Sequence, residues 1–253
     1  SEPAAVDTNL DGNLDAVYIG TTAGYLYKVD LRTAALLNTA TTPPKVTAAE
    51  WEPYVIFDTV TGSDRLPIYY PPSVTFVART GRFALGFGTG DREDLWKDND
   101  LVGRYYFLVD EDFRRGDSGL PKRETDYPHF TPDGASVSNS LNFLIQAATG
   151  YTNRGWILDL ADSERLLSKS LALSGILTFT TFDPLIEIDT SGICRRAGIS
   201  NIYTVFSTNA NAILGASKRR RIRSYVTNPF IETSVTKNPP QTPGGGGGGG
   251  GGG

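Results

Sequence analysis

The sequence predicts an all-β protein that forms a modified or partial β-propeller. Short strands that alternate apolar and polar residues dominate the chain, and pairs of these strands recur in the same order. Hydrophobic residues make up 39% of the chain, which also contains 12 Phe, 12 Tyr and 3 Trp. This composition supplies enough side chains for a packed core, which excludes a disordered protein.

The predicted strands follow one another along the chain and are separated by Gly, Pro, Asp, Asn or Thr. The odd-numbered residues of Tyr25–Leu31 share one face of a period-two pattern, and so do those of Tyr105–Val109. The other predicted strands are Tyr54–Phe57, Val74–Ala78, Trp156–Leu160, Gly175–Thr181 and Ile202–Phe206. One helix is expected at Ser140–Ala148, where apolar residues have helical spacing.

A repeat appears when these strands are aligned. Ala16–Thr21 matches Ala84–Thr89, and Tyr27–Asp30 matches Phe107–Asp110. A weaker third copy consists of Leu177–Thr181 and Tyr203–Phe206. An apolar strand that ends in Gly-Thr, followed by a Tyr-rich strand that ends in Asp, is typical of the hairpin of a propeller blade. Three unrelated hairpins in a β-sandwich are the alternative.

The chain length limits the number of blades and sets the domain boundaries. At roughly 40 to 50 residues a blade, it holds about five plain blades, or three to four with the insertions inferred from the repeat. We assign residues 1–227 to one propeller-like domain, and expect it to be a C-terminal part of a larger protein. Residues 228–253 form a Pro/Gly-rich tail that ends in ten glycines, typical of a linker, a tag or positions of unidentified sequence.

Charge and residue usage exclude several classes of function. The net charge is −4 and the pI is about 5.1, which argues against broad binding to nucleic acid or an anionic membrane. With a single His and a single Cys, the chain lacks the ligands for a usual zinc site and for an intrachain disulfide. Any metal must therefore be bound by oxygen. No transmembrane segment is predicted.

The strongest motif is a nine-residue loop that precedes the first repeated strand. Asp7, Asn9 and Asp11 place side-chain oxygens at alternate positions, Asn13 offers its main-chain carbonyl, and Asp15 closes the loop with a carboxylate. A glycine at the sixth position permits the tight turn that calcium loops require. The flanking residues are strand-like, so the likeness to an EF-hand is confined to the loop. The loop is predicted to bind Ca²⁺, and an Asx-rich turn without metal is the alternative.

A second motif lies in a polar stretch after the second Tyr-rich strand. Arg115, Gly116 and Asp117, followed by serine, form the tetrapeptide that integrins recognise. Receptor binding requires both charged side chains to be accessible, as they are in an exposed loop. An ordinary charged loop is the favoured interpretation, and a receptor-binding turn is the alternative.

The only strongly basic run is Lys218–Arg221, followed closely by Arg223. It could bind an acidic partner, lipid headgroups or nucleic acid. An edge strand that carries charges against aggregation is the favoured interpretation.

The order of the loop and strand motifs along the chain resembles that in the C-terminal domain of the PilC/PilY family. These proteins are associated with the tips of bacterial type IV pili. The matching segments are Asp7–Gly20, Gly24–Leu31, Phe87–Gly90, Gly155–Leu160, Glu164–Arg165 and Gly175–Pro184, leading to Cys194. Together they extend over most of Asp7–Arg223.

The resemblance implies a fold of quinoprotein-like blades and an extracellular or cell-surface location at the pilus tip, reached through the periplasm and outer membrane. It implies a calcium-dependent role in pilus assembly, in the balance of extension and retraction, and in surface adhesion. The expected partners are minor pilins or the pilus tip complex, and a host receptor or an abiotic surface. The family's calcium ligands fall on Asp7, Asn9, Asp11, Asn13 and Asp15. No enzymatic activity is expected.

Two other functions remain open from the sequence. A secreted integrin-like or lectin-type propeller would use calcium only for structure. A quinoprotein-like dehydrogenase would also combine a propeller with calcium, but this chain has too few blades and only one cysteine for the adjacent-cysteine disulfide that many of these enzymes contain.

Overall fold

The computed structural model arranges the strands in three five-stranded sheets, each comparable to a propeller blade. It describes residues 1–32, 51–78, 81–91, 93, 95, 102–133, 154–161, 163–188, 194–213 and 217–223. The predicted helix at Ser140–Ala148 and the tail at 228–253 lie outside the described residues.

The strands of the first sheet precede those of the second along the chain, except that the last edge strand of the first sheet follows three strands of the second. In spatial order its strands are β1 (Ala4–Val6), β2 (Ala16–Gly20), β3 (Tyr25–Asp30), β4 (Tyr54–Asp58) and β10 (Lys122–Arg123). The second sheet contains β7 (Ser73–Val77), β8 (Arg82–Gly88), β9 (Arg104–Val109), β12 (Gly155–Asp159) and β11 (His129–Phe130). In both sheets four strands are antiparallel, and the short fifth strand is parallel to the outermost of them.

The third sheet is built around a long hairpin. Its strands are β13 (Arg165–Leu166), β14 (Leu171–Leu173), β15 (Ile176–Ile188), β16 (Cys194–Phe206) and β17 (Arg219–Ile222). Both β13 and β14 pair with β15, and β17 forms the edge beyond β16. A separate hairpin joins β5 (Val60–Thr61) to β6 (Asp64–Arg65), and a 3₁₀ helix spans Glu124–Asp126.

The predicted repeat is confirmed by this topology. Its first segments form β2, β8 and β15, which are hydrogen-bonded to β3, β9 and β16, the strands formed by its second segments. The alternative of unrelated hairpins is wrong, because every copy occupies the same place in its own sheet. The predicted strands are also observed, with bounds that differ by a few residues except in β15 and β16, which extend well beyond the predicted ends.

Both faces of the second sheet are buried, which explains the apolar character of its strand β9. Tyr105 and Phe107 face the third sheet, where the ring of Tyr105 stacks on Phe179 at a centroid distance of 3.8 Å. Tyr106 faces the first sheet and packs edge-on against Phe57 at 5.1 Å. Stacked blades of a propeller bury their sheets in this manner.

The segment after β9, residues 111–130, connects the outer edges of two sheets, and we call it the strap. It pairs first with β4 through β10 and then with β12 through β11. Between these strands, the Tyr106 hydroxyl donates to Glu124 at 2.6 Å, and Arg104 contacts both Glu124 and Asp159. His129 lies 2.9 Å from Asp159. The hydrogen bond that His129 donates to the Asp159 carboxylate raises the pKa of His129, and burial raises the pKa of Glu124.

The His129–Asp159 pair predicts a pH-dependent contribution to stability. Because the folded pKa of His129 is raised, the contribution is complete below the unfolded pKa of about 6.5 and is lost as the pH rises through the folded value. The pair is partly exposed, so we expect less than about 1 kcal/mol. Urea unfolding of the unmodified chain and of His129→Gln should differ below pH about 6.5 and converge as the pH rises above the folded pKa of His129. A difference that does not change with pH would contradict the assignment.

The basic run leads into the edge strand β17, as the favoured interpretation predicted, but only half of the run is exposed. Arg220 and Arg221 are exposed. Lys218 is buried and donates to the Thr131 carbonyl at 2.8 Å, and Arg219 reaches Glu164 at 3.2 Å. Half of this run therefore stabilises the third sheet.

Candidate metal site

The candidate calcium loop connects β1 to β2. The two strands pair from Ala4 with Tyr18 to Val6 with Ala16, so the loop begins and ends at the same edge of the sheet. The amide of Asp15 donates to the Val6 carbonyl at 2.9 Å and closes the base of the loop. This arrangement holds residues 7 and 15 together before any ion is considered.

Asp7 organises the first half of the loop by accepting hydrogen bonds from the backbone. Its Oδ1 accepts from the amides of Asn9 at 3.2 Å, Leu10 at 2.6 Å and Asp11 at 3.3 Å, and its Oδ2 accepts from Gly12 at 2.8 Å. An Asx turn of this kind occurs in metal-free turns as well as in calcium loops. The hydrogen bonds are therefore those that both sequence interpretations require.

The next two polar residues are linked to each other and remain exposed. Asn9 Oδ1 accepts from the Asp11 amide at 2.8 Å, and its Nδ2 donates to Asp11 Oδ2 at 3.1 Å. Asp11 Oδ1 accepts from both the backbone and the side-chain amides of Asn13, at 2.8 and 3.0 Å. The hydrogen bond from the Asn13 backbone lowers the pKa of Asp11. Asp11 is thus ionised and accessible.

Asp15 differs from the other acidic residues of the loop because it is buried, with 3% of its surface exposed. Its Oδ2 accepts from the backbone amide of Thr8 at 2.8 Å and also from the Thr8 hydroxyl. The sequence pattern did not identify Thr8, because it occupies a position of the loop that supplies no cation ligand. A change at Asp15 would consequently affect the fold as well as any bound ion.

The backbone of the loop requires two left-handed residues. Gly12 has a φ of +91°, which fits the glycine that the motif requires at this turn. Leu10 has a φ of +62° and is 86% exposed, so its apolar side chain is exposed to solvent at the tip of the loop. The sequence pattern gave no indication of this feature.

The donor set fits a hard cation in its chemistry, since every proposed ligand is an oxygen atom and three are carboxylates. In the described part of the chain, however, no three His, Cys, Asp or Glu side chains converge on one point. Asp15 is turned to Thr8, and Asn9 and Asp11 bond each other. Calcium binding therefore requires these side chains to exchange hydrogen bonds for the ion.

The candidate receptor-binding turn lies in the strap, and all three of its residues are exposed. Gly116 has a φ of +87° at the turn, and Asp117 Oδ2 accepts from the Arg114 amide at 2.7 Å. Arg115 forms an ion pair with Glu52 in which both side chains are more than half exposed. The structure therefore provides the accessibility that a receptor would need, and receptor binding remains a prediction.

A buried polar cluster that sequence analysis missed lies near the calcium loop. Lys28 Nζ donates to Asp110 at 2.7 Å and to the Phe113 carbonyl at 3.0 Å, and the Tyr18 hydroxyl donates to the same carboxylate. Both charged side chains are at least 95% buried. Burial and the Asp110 charge raise the pKa of Tyr18 well above its usual range. The cluster connects the first sheet to the start of the strap.

Among the described residues, no helix has the length and apolar character needed to cross a membrane.

Comparison with known proteins identifies a solved structure with a similar fold. No protein-family model matches the chain, and no curated protein matches it. Among solved structures it is similar to the "Crystal structure of Pseudomonas aeruginosa PilY1 C-terminal domain", with a TM-score of 0.57 and 18% identity. The match covers 83% of this chain and 47% of that chain, so the chain spans about half the length of its relative.

At this level of identity the likeness concerns the fold. It confirms the resemblance to the PilC/PilY C-terminal domain that the motifs indicated, and with it the modified β-propeller architecture.

Proposed function

We propose that this chain is a non-enzymatic, calcium-dependent component associated with type IV pili. The observation that carries the proposal is the shared fold with the PilY1 C-terminal domain over 83% of this chain. The order of motifs along Asp7–Arg223 supports the same assignment from the sequence. Its role would be to support pilus assembly, the balance of extension and retraction, and adhesion.

The calcium loop would act by fixing the geometry of a surface segment. Side-chain oxygens of Asp7, Asn9 and Asp11, the Asn13 carbonyl and the Asp15 carboxylate would hold the ion. A bound Ca²⁺ supplies a fixed double positive charge that offsets two of the three negative charges of the carboxylates. The backbone bonds that Asp7 accepts already hold the turn closed, which lowers the conformational cost of collecting the ligands.

The proposed partners are minor pilins or the pilus tip complex, on the cell surface or at the pilus tip. Adhesion to a host receptor would use the exposed turn at Arg115, Gly116 and Asp117. In this turn the Arg115 guanidinium would exchange its surface ion pair with Glu52 for the receptor, at a cost that is small because such pairs contribute about 0–1 kcal/mol.

The test is cosedimentation of the purified chain with purified type IV pili, with Ca²⁺ or with a chelator present. We expect binding that depends on calcium and is lost in Asp11→Ala, because that exposed residue is a ligand with few contacts outside the loop. Asp64→Ala, which removes an exposed aspartate in β6, is the matched control and should bind normally. Absence of binding by the unmodified chain with calcium would contradict the proposal, as would retention of full binding by Asp11→Ala.

A further inference from the structure

A polar cavity of about 210 Å³ lies beside the calcium loop, between the first sheet and the start of the strap. Thr8, Lys28, Arg32, Arg82 and Asp110 contribute to its wall. Of the charged lining residues, three are cationic and two are acidic. The cavity wall is therefore polar and carries charges of both signs, and its Arg32 pairs with Asp30 as well as with Asp112.

Two of the cationic groups, Lys28 and Arg32, have donors without a partner among the described residues. An ammonium has three N–H donors, and Lys28 uses two of them within the described part of the chain, toward Asp110 and the Phe113 carbonyl. Arg32 directs Nε and Nη2 to Asp30 and Nη2 to Asp112, and among the described residues its Nη1 has no hydrogen-bond partner. A guanidinium presents five N–H donors in a planar fork, so this nitrogen can accommodate a further acceptor.

Size restricts the class of ligand. Sites for drug-sized molecules measure about 300–1,000 Å³, so this cavity accommodates a single small group. The open donors are all N–H groups of cations, and a carboxylate is the small acceptor that pairs best with such groups. A neutral amide would offer one acceptor oxygen and bring two further donors into a wall already rich in donors.

Thr8 connects the cavity to the calcium loop. It contributes to the wall, and both its amide and its hydroxyl donate to Asp15, the residue that closes the predicted calcium site. When Asp15 turns to a cation, Thr8 loses its acceptor and its hydroxyl becomes available to the cavity. The added positive charge of the ion would also favour an anion nearby.

We propose that this cavity binds a single carboxylate group and that its occupancy is coupled to calcium in the loop. The carboxylate comes either from a free small acid or from an acidic side chain of a protein partner. The coupling rests on the proposed calcium site, whereas carboxylate binding itself does not. Because linkage is reciprocal, calcium must strengthen carboxylate binding by the same factor by which the carboxylate strengthens calcium binding.

The first experiment measures carboxylate binding by NMR titration of the calcium-free chain at constant ionic strength. The probes are acetate, Nα-acetyl-glutamate amide and, as the neutral control, Nα-acetyl-glutamine amide. Saturable shifts with the first two probes, absent with the third, are expected. Tighter binding of the glutamate derivative than of acetate would assign the source to a protein side chain, and equal binding would assign it to a free acid.

Two variants test whether the carboxylate binds in this cavity. Arg32→Gln should weaken binding by about tenfold, whereas Arg65→Gln, which removes an arginine in an ion pair with Asp58 outside the cavity, should leave it unchanged. A thermal melt checks that both variants fold. Should Arg32→Gln unfold, Arg82→Gln provides the test, because it removes another cation of the wall at an exposed position. No saturable binding, or binding equal in all variants, overturns the carboxylate site.

The second experiment measures the coupling by calcium titration with and without saturating acetate. We expect calcium to bind about fivefold more tightly with acetate, the lower end of usual coupling factors, and Thr8→Val to abolish the difference. Carboxylate binding without calcium binding would overturn the coupling and the proposed calcium function, but not the cavity. Calcium binding without carboxylate binding would overturn this inference alone.

Discussion

Replacing Asp110 with alanine is expected to destabilise the domain by about 3–5 kcal/mol, because it leaves Lys28 charged and unpaired in the interior. The carboxylate also accepts from the Tyr18 hydroxyl and from the Phe113 amide at 2.9 Å. The variant therefore removes the acceptor of three buried donors at the junction of the first sheet and the strap.

The measurement is urea unfolding followed by tryptophan fluorescence. Glu52→Ala is the matched control, since it also removes one acidic partner of an ion pair, but at an exposed position, and should cost less than about 1 kcal/mol. If Asp110→Ala lost no more stability than Glu52→Ala, the buried cluster would not stabilise the junction.

Replacing Glu164 with alanine is expected to have an effect of similar size in the third sheet. Its carboxylate has no exposed surface and accepts from Asn201 at 2.9 Å, Tyr203 at 3.1 Å and Arg219 at 3.2 Å, as well as from Thr181. Removing one partner from a buried charged network costs about 3–5 kcal/mol, since the remaining groups stay buried without an acceptor.

Unfolding by urea again measures the change, with Glu164→Gln as the conservative comparison. The glutamine preserves volume and one acceptor oxygen, so its loss should be smaller than that of Glu164→Ala. Equal stability of Glu164→Ala and the unmodified chain would contradict the role assigned to this residue.

The blades could be predicted from the sequence because their signals are local. The alternation in Tyr105–Val109 places Tyr105 and Phe107 on one face and Tyr106 on the other, as the structure confirms. The repeat was detectable because β2, β8 and β15 occupy equivalent positions and therefore meet the same packing requirements.

The strap could not be predicted in this way. Its strands β10 and β11 have two residues each, too short for any periodic pattern. Each is fixed by a parallel partner strand that is distant from it in sequence. The same applies to the contact between Lys28 and Asp110, which are 82 residues apart. A lysine in a strand reads as a solvent-facing residue unless its partner is known.

The candidate site could be predicted only in part, because some of its features are local in sequence and others are not. The spacing of Asp7, Asn9 and Asp11 is a local pattern, and the structure places these residues in one turn. The pairing of Asp15 with Thr8 uses a loop position that the motif does not assign, and the cavity that Thr8 borders depends on the packing of segments distant in sequence, such as those of Arg82 and Asp110. No sequence pattern describes that packing.

Calorimetric titration of the purified chain with calcium, repeated with Asp11→Ala, tests the central claim most directly. The account predicts binding with a dissociation constant in the micromolar to millimolar range, about 10⁻⁶–10⁻³ M, typical of sensors and extracellular modules. The variant should retain its fold and lose this binding, because Asp11 is exposed and bonds only within the loop. No binding by the unmodified chain, or equal affinity in Asp11→Ala, would contradict the assignment of calcium to this loop.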